Sequence, residues 1–321
     1  MKVLENTQLK KIEDKYLRHI HKLRVQLTDA CNFRCFYCMP ENIKFKKKSE
    51  LLTKDQIISI SSELVNLGID EIRVTGGEPT IRQEFKEIVS GLSKLKLKKL
   101  GLTTNAFNLT EHLDFLKTTN CHYINISLDS LNPHKFGEIT KTNYFPQVIK
   151  SILKSKELNF ETKINVVVSR GINDDEILDF INFSADNNIE VRFLELMKIG
   201  PAYEMNPHLF ISANEMISKI KTIHQLKKIK VSKDSTSFNY STESEAKIGF
   251  IASESQPFCN TCSRLRLSAT GMLRACLMSE DGINLKDVDK SQYSQIIKDV
   301  IAMKPIERID YIKQSMNQIG G

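Results

Sequence analysis

The chain has 321 residues, 40% apolar and 26% charged, with a formal net charge of +7. That is enough for one large domain or two ordinary ones with a real core, and the mild basicity, spread over short lysine runs such as Lys46-Lys47-Lys48, reads as solvated faces rather than a nucleic-acid surface. No apolar run is long enough to span a bilayer and the polar N-terminus lacks a signal-peptide core, so the expectation is a cytoplasmic protein with no membrane partner.

In chain order, short runs rich in Val, Ile and Leu occupy residues 23–27, 72–75, 100–103, 124–128, 164–168 and 191–196. They read as strands buried on both faces, as in a parallel sheet covered by helices. Helical spacing lies between them. Ile57, Ile60, Leu64 and Leu67 form one apolar stripe, opened by the capping-box pair Thr53 and Gln56 and closed by Gly68. Asn173 with Glu176 opens another, with Ile177, Phe180 and Ile181 on its inner face. Eight such strand–helix units close a barrel and six do not, so the fold expected is α/β: a partial, three-quarter, six-stranded TIM-like barrel. Beyond Met197 the alternation stops at Gly200-Pro201, and a polar stretch runs to about residue 245. The division expected is 1–198 for the partial barrel and 199–321 for a C-terminal subdomain that closes its open side.

Seven cysteines in a reducing compartment are poor candidates for disulfides. Cys121 stands alone before an apolar run and reads as a buried structural thiol. Cys31, Cys35 and Cys38 lie within eight residues, in the loop after the first strand, with no fourth cysteine nearby. Three thiolates can hold three irons of a [4Fe–4S] cluster and leave the fourth open. The alternative is structural zinc completed by a distant residue. After the second strand, "TGGEP" (Thr75 to Pro79) offers two glycines that let backbone approach a ligand, and Glu78 as an acceptor for an ammonium.

The three-then-two cysteine spacing and the glycine pair resemble the radical S-adenosylmethionine (SAM) superfamily. That resemblance implies a SAM chelated to the open iron, Tyr37 packed on its adenine, and one-electron cleavage to a 5′-deoxyadenosyl radical.

A second trio, Cys259, Cys262 and Cys276, again leaves one metal position open, and Arg264 and Arg266 follow on one side of an extended segment. Two guanidinium forks beside an open metal suit a phosphorylated substrate. The competing reading is a zinc ribbon with surface arginines. With both trios, the arginines and the terminal Gly320-Gly321, residues 24–321 resemble the GTP 3′,8-cyclase family of molybdenum cofactor biosynthesis. The resemblance implies two [4Fe–4S] clusters, SAM, GTP as substrate, an external electron donor, and a following enzyme of the pterin pathway that takes the product. A homodimer is compatible with it. By motif, Arg24, Arg73, Thr103, Lys163, Arg264 and Arg266 match GTP contacts, whereas Gly77, Ser127, Arg192 and Met197 match the SAM side. The Gly320-Gly321 end is implied to reach into the active site, anchored by Ile319. The chain departs from the family at Ala106, where Gly is usual, at Ala30, and at Glu71, where Lys is common. Two further readings compete: a peptide-modifying radical SAM enzyme with an auxiliary cluster, and a zinc-stabilised scaffold for acidic partners.

Overall fold

Residues 12–320 are described by the computed structural model. The six anticipated strands are all present: β1 (Lys22–Gln26), β2 (Glu71–Thr75), β3 (Lys99–Thr104), β4 (Cys121–Ser127), β5 (Glu161–Val168) and β6 (Glu190–Glu195). They pair in parallel and in chain order, with α1 (Lys54–Leu67), α2 (Phe85–Ser93), α3 (Leu113–Lys117), α4 (Pro133–Thr140), α5 (Phe145–Glu157) and α6 (Ile177–Asn187) in the connections. α1 starts and stops where its sequence says. The Thr53 side chain accepts from Gln56 N, Gln56 answers to Thr53 N, and Gly68 takes φ 124° beyond the last turn.

The strands are not apolar on both faces. Leu23 and Val25 of β1 are buried toward the helices, while Lys22, Arg24 and Gln26 face the other way. The parallel register puts Arg24 beside Arg73, and Asn125 beside Lys163. The barrel interior is therefore polar and strongly basic, and the apolar core is the layer between sheet and helices. There Phe85, Phe136, Phe180, Phe193 and Phe250 are fully buried, each contributing about 1.5–3 kcal/mol by leaving water.

The C-terminal region completes the sheet instead of standing apart from it. α7 (Ala202–Leu209) and α8 (Ala213–Lys221) lead to β7 (Lys227–Ile229), β8 (Phe238–Ser241) and β9 (Lys247–Ile251), and β9 pairs in parallel with β6. Phe250 packs at a tilt on Phe193 at 5.7 Å and stacks on Phe238 at 5.6 Å, which fixes that edge. β10 (Arg264–Leu267) joins the opposite edge, parallel to β1, and carries β11 (Met272–Arg274) and β12 (Ile283–Asn284) outward. Among the described residues one open twelve-stranded sheet results. α9 (Tyr293–Ala302) packs on α1, and the short α10 (Met316–Ile319) brings the chain back to the barrel mouth. No helix of the described residues is long and apolar enough to cross a membrane.

Asn173 and Glu176 stand where the helical segment opens, and Ile177, Phe180 and Ile181 are buried as expected, but neither side chain caps it. Residues Asp174–Glu176 form a 3-10 turn ahead of α6. Asn173 Nδ2 donates to Asp129 O and Val167 O, and Glu176 accepts from Ser130 Oγ and from Leu131 N and Asn132 N. Both side chains pin loops distant in sequence, which outcompetes local capping.

Candidate active site

A cavity of about 340 Å³ lies within the barrel and all six clustered cysteines line it, the first trio beyond the C-terminal end of β1 and the second beside the N-terminal end of β10. Cys31, Cys35 and Cys38 come from the loop after β1. Burial, with the Glu78 carboxylate nearby, pushes the Cys31 thiol to about 11, and burial with Cys31 nearby pushes Cys38 to about 12. Cys35 is driven well above its ordinary value by burial and by Asp129. Three thiols so disfavoured as anions need a cationic centre to become ligands. Neither cysteine trio has its sulfurs within 4.8 Å of one another. Tetrahedral zinc with bonds of about 2.3 Å would hold sulfurs about 3.8 Å apart. The donor sets thus fit a polynuclear centre and not a single zinc ion.

Among the described residues the group that does meet that spacing is His21, Asp70 and Glu71, at the N-terminal ends of β1 and β2. Lys98 donates to Asp70 Oδ2 at 2.5 Å, and Glu71 lies 3.7 Å from Lys22 Nζ, so its charge is already answered. Glu71 lies at the other end of β1 and β2 from the first cysteine loop, and closer to the second, since Ser263 O beside Cys262 accepts from Lys22 N, the register partner of Glu71.

The glycine pair holds the first cysteine loop by its backbone. Gly77 N donates to Thr28 O at 2.7 Å and Glu78 N to Ala30 O at 2.8 Å. Glu78 itself is not on the cavity wall. It is fully buried and accepts from Thr80 Oγ1 (2.6 Å), Thr104 Oγ1 (2.7 Å) and Asn105 N (2.6 Å). The expected ammonium acceptor is saturated by the chain, and its work is to tie the ends of β2 and β3 together. The neighbouring Ala106 adopts φ 62°, so that turn accepts the strain a glycine would avoid.

Tyr37, Gly77, Ser127, Arg192 and Met197 all line the cavity. The Tyr37 hydroxyl donates to Asp129 Oδ2 at 2.6 Å, and Asp129 Oδ1 accepts from Val167 N at 2.8 Å. Burial raises the Asp129 carboxyl to about 6 despite these bonds. Asp129 was not among the residues singled out from the sequence, although it directly follows the fourth apolar run.

On the other side, Arg24, Thr103, Arg264 and Arg266 line the cavity beside the second trio. Burial, then Arg266, Arg264 and Arg73, hold the Arg24 guanidinium well below its ordinary value. Burial with Arg264 nearby brings Arg266 to about 10. Among the described residues no carboxylate pairs with Arg24, Arg264 or Arg266; Arg264 Nη2 donates to Cys262 Sγ at 3.4 Å and Arg266 Nη1 to Gly320 O at 2.6 Å. Burial alone would raise the Cys262 thiol, but Arg264 and Lys304 outweigh it and bring it to about 6. Such an unneutralised cationic wall is matched by a polyanion.

Arg73 and Lys163, expected with these arginines, are set back from the cavity wall. Arg73 Nη1 donates to Leu102 O at 3.0 Å, and Lys163 Nζ to Glu190 Oε2 at 2.6 Å. Glu190 also accepts from Arg192 Nε at 2.6 Å. Arg308 lines the cavity, paired with Glu254, and was not anticipated.

The C-terminal segment is docked at the cavity mouth. Met316 N donates to Cys38 O at 3.1 Å, Asn317 Nδ2 to Asp29 O at 2.9 Å, and Gln26 Nε2 to Asn317 O. Ile319 is buried with Ile199, Met278 and Ile312. Gly320 meets Arg266 through its carbonyl, while Gly321 lies outside the described residues.

Residues 25–184 match the Radical SAM superfamily and residues 189–310 match Molybdenum Cofactor Synthesis C. The chain is 46% identical to a GTP 3′,8-cyclase of Synechocystis sp. over 97% of this chain and 95% of that one. It is 37% identical to a GTP 3′,8-cyclase of Aquifex aeolicus over 87% and 89% of the two chains. In fold it is similar to Streptococcus suis SuiB bound to S-adenosylmethionine, with a TM-score of 0.64 at 15% identity, over 89% of this chain and 68% of that one.

Proposed function

This chain belongs to the GTP 3′,8-cyclase family of the radical SAM superfamily, and from that premise we propose how its residues divide the reaction. The enzyme is a lyase that makes 3′,8-cyclo-7,8-dihydro-GTP from GTP in molybdenum cofactor biosynthesis. In our reading Cys31, Cys35 and Cys38 hold one [4Fe–4S] cluster and Cys259, Cys262 and Cys276 a second, each with an iron left open. When bound, the first cluster and SAM supply a hydrogen-abstracting radical by one-electron cleavage of the sulfonium, and the second cluster supplies an iron for the guanine base.

The chain's own residues position the reactants. Tyr37, Gly77, Ser127, Arg192 and Met197 form the SAM wall, with Tyr37 oriented by Asp129. Glu78 acts on that wall indirectly, through Thr104 and Asn105. Arg24, Arg264 and Arg266 take the triphosphate and Thr103 a hydroxyl, while Arg73 and Lys163 stand behind them and strengthen the field instead of touching the substrate. Gly320 completes the mouth, holding Arg266 through its carbonyl, and Gly321, outside the described residues, belongs to the same proposed role. Residues 1–198 carry the radical source and 199–321 the substrate platform. An external one-electron donor, a following enzyme of the pterin pathway, a homodimer and a cytoplasmic setting belong to the same proposal.

One observation carries it: all six clustered cysteines line a single cavity together with Arg24, Arg264 and Arg266, none of which has a carboxylate partner among the described residues. The test is iron, sulfide and zinc analysis of anaerobically purified protein, with GTP binding. About eight irons per chain and specific GTP binding are expected. About four irons, or zinc without sulfide, would overturn the two-cluster reading.

A further inference from the structure

Lys304, just after α9, is 2% exposed, and no carboxylate pairs with it among the described residues. A buried ammonium without a counter-charge is costly, so its surroundings must explain it. Its Nζ donates to Arg264 O and Ala275 O, both at 2.7 Å. Those carbonyls lie two residues after Cys262 and one before Cys276. The ammonium also faces the sulfurs of Cys262 and Cys276.

The third ligand loop is held from the same place. Arg18, 6% exposed, donates from Nη1 to Cys259 O at 2.6 Å and to Pro305 O at 2.8 Å, and from Nη2 to Lys304 O at 3.4 Å. Asp14 Oδ2 accepts from Arg18 Nε at 2.6 Å and fixes its plane. A continuous polar chain thus runs from Asp14 through Arg18 and the 304–305 backbone to Lys304, and it touches the backbone within two residues of all three cysteines.

We propose that Lys304, held by Arg18, is a positioning residue for the C-terminal iron–sulfur site: it locks the three cysteine loops, and its charge stabilises the reduced form of a thiolate-bound cluster. The proposal rests on the reading that Cys259, Cys262 and Cys276 hold a cluster. Donors and charges behind the sulfurs tune such centres, and here both come from one side chain.

Lys304→Met and Lys304→Gln separate the two roles, since Gln keeps donors for the carbonyls but carries no charge. Iron and sulfide are counted in each, and the C-terminal cluster is titrated by EPR in a Cys31→Ser, Cys35→Ser, Cys38→Ser background, where no other cluster contributes. Circular dichroism checks that each variant folds. The Met variant is expected to fall from about eight irons to about four. The Gln variant is expected to keep its clusters with a more negative midpoint potential and an altered EPR signal. If the Met variant does not fold, the Gln variant decides. Parental iron content, EPR signal and midpoint in a folded variant pair would overturn the proposal with the two-cluster reading intact. About four irons in the parent protein would instead remove that reading, and this proposal with it.

Discussion

Gly77→Ala adds one methyl group where the SAM wall meets the first cysteine loop. A β-carbon there would stand 2.6 Å from both Ala30 C and Asp29 O, and nearer still to Ala30 O, whereas ordinary contact begins at 3.4 Å. All three obstacles are backbone atoms, so no rotamer change relieves the clash. The Ala30 carbonyl oxygen, the nearest of them, sets the relief needed, and the loop must retreat by about 1 Å. That stretches two hydrogen bonds, Gly77 N to Thr28 O and Glu78 N to Ala30 O, together worth about 1–3 kcal/mol. Because Cys31 follows Ala30 directly, the ligand loop moves with it. A displacement near 1 Å at a reacting centre lowers turnover by about 100-fold. Urea unfolding and 5′-deoxyadenosine formation measure the two effects. Gly76→Ala, whose β-carbon meets Thr28 O at 3.0 Å, is expected to do less. Gly171→Ala is the control: at φ +72° with nothing within 4 Å, it is expected to lose about 1 kcal/mol of stability through backbone strain alone and to leave SAM cleavage unchanged. Parental 5′-deoxyadenosine formation in Gly77→Ala would refute the argument that this contact places the loop.

Deleting Gly320 and Gly321 removes the carbonyl that Arg266 binds at 2.6 Å, so GTP cyclisation should collapse while iron content and thermal stability hold; full product formation by chromatography would return the tail to an inert end. Ala106→Gly relieves φ 62° and should raise unfolding free energy by up to about 1 kcal/mol in urea titrations; a clear loss of stability would deny the strain. Asp129, raised by burial to about 6 from 3.8, retains its proton when folded over a window where the unfolded chain has lost it. Stability of the apoprotein should therefore fall as pH rises from about 4 to about 6, by about 3 kcal/mol from this group. Asp129→Asn should flatten that slope, and an unchanged pH profile would contradict it.

Local spacing made much of this protein legible. The two cysteine trios, the glycine pair and the limits of α1 are set by neighbours within a few residues, and short-range geometry reads directly from sequence. The polar interior was written there too, in the alternation Lys22, Leu23, Arg24, Val25, Gln26, but an apolar run and an alternating strand are hard to separate when one face lines a cavity. Other features needed the fold. Glu78 looks like a ligand acceptor until β3 brings Thr104 and Asn105 against it. Lys163 looks like a substrate contact until β6 presents Glu190. Lys304 carries no motif, and its meaning arises only when Arg264 and Ala275 arrive from β10 and beyond β11. Each of these partners lies far along the chain, and a hydrogen bond across that separation leaves no periodicity in sequence. The sequence by itself determined which groups could do the chemistry; only the tertiary structure decided which remain free to do it and which are already engaged in holding the others in place.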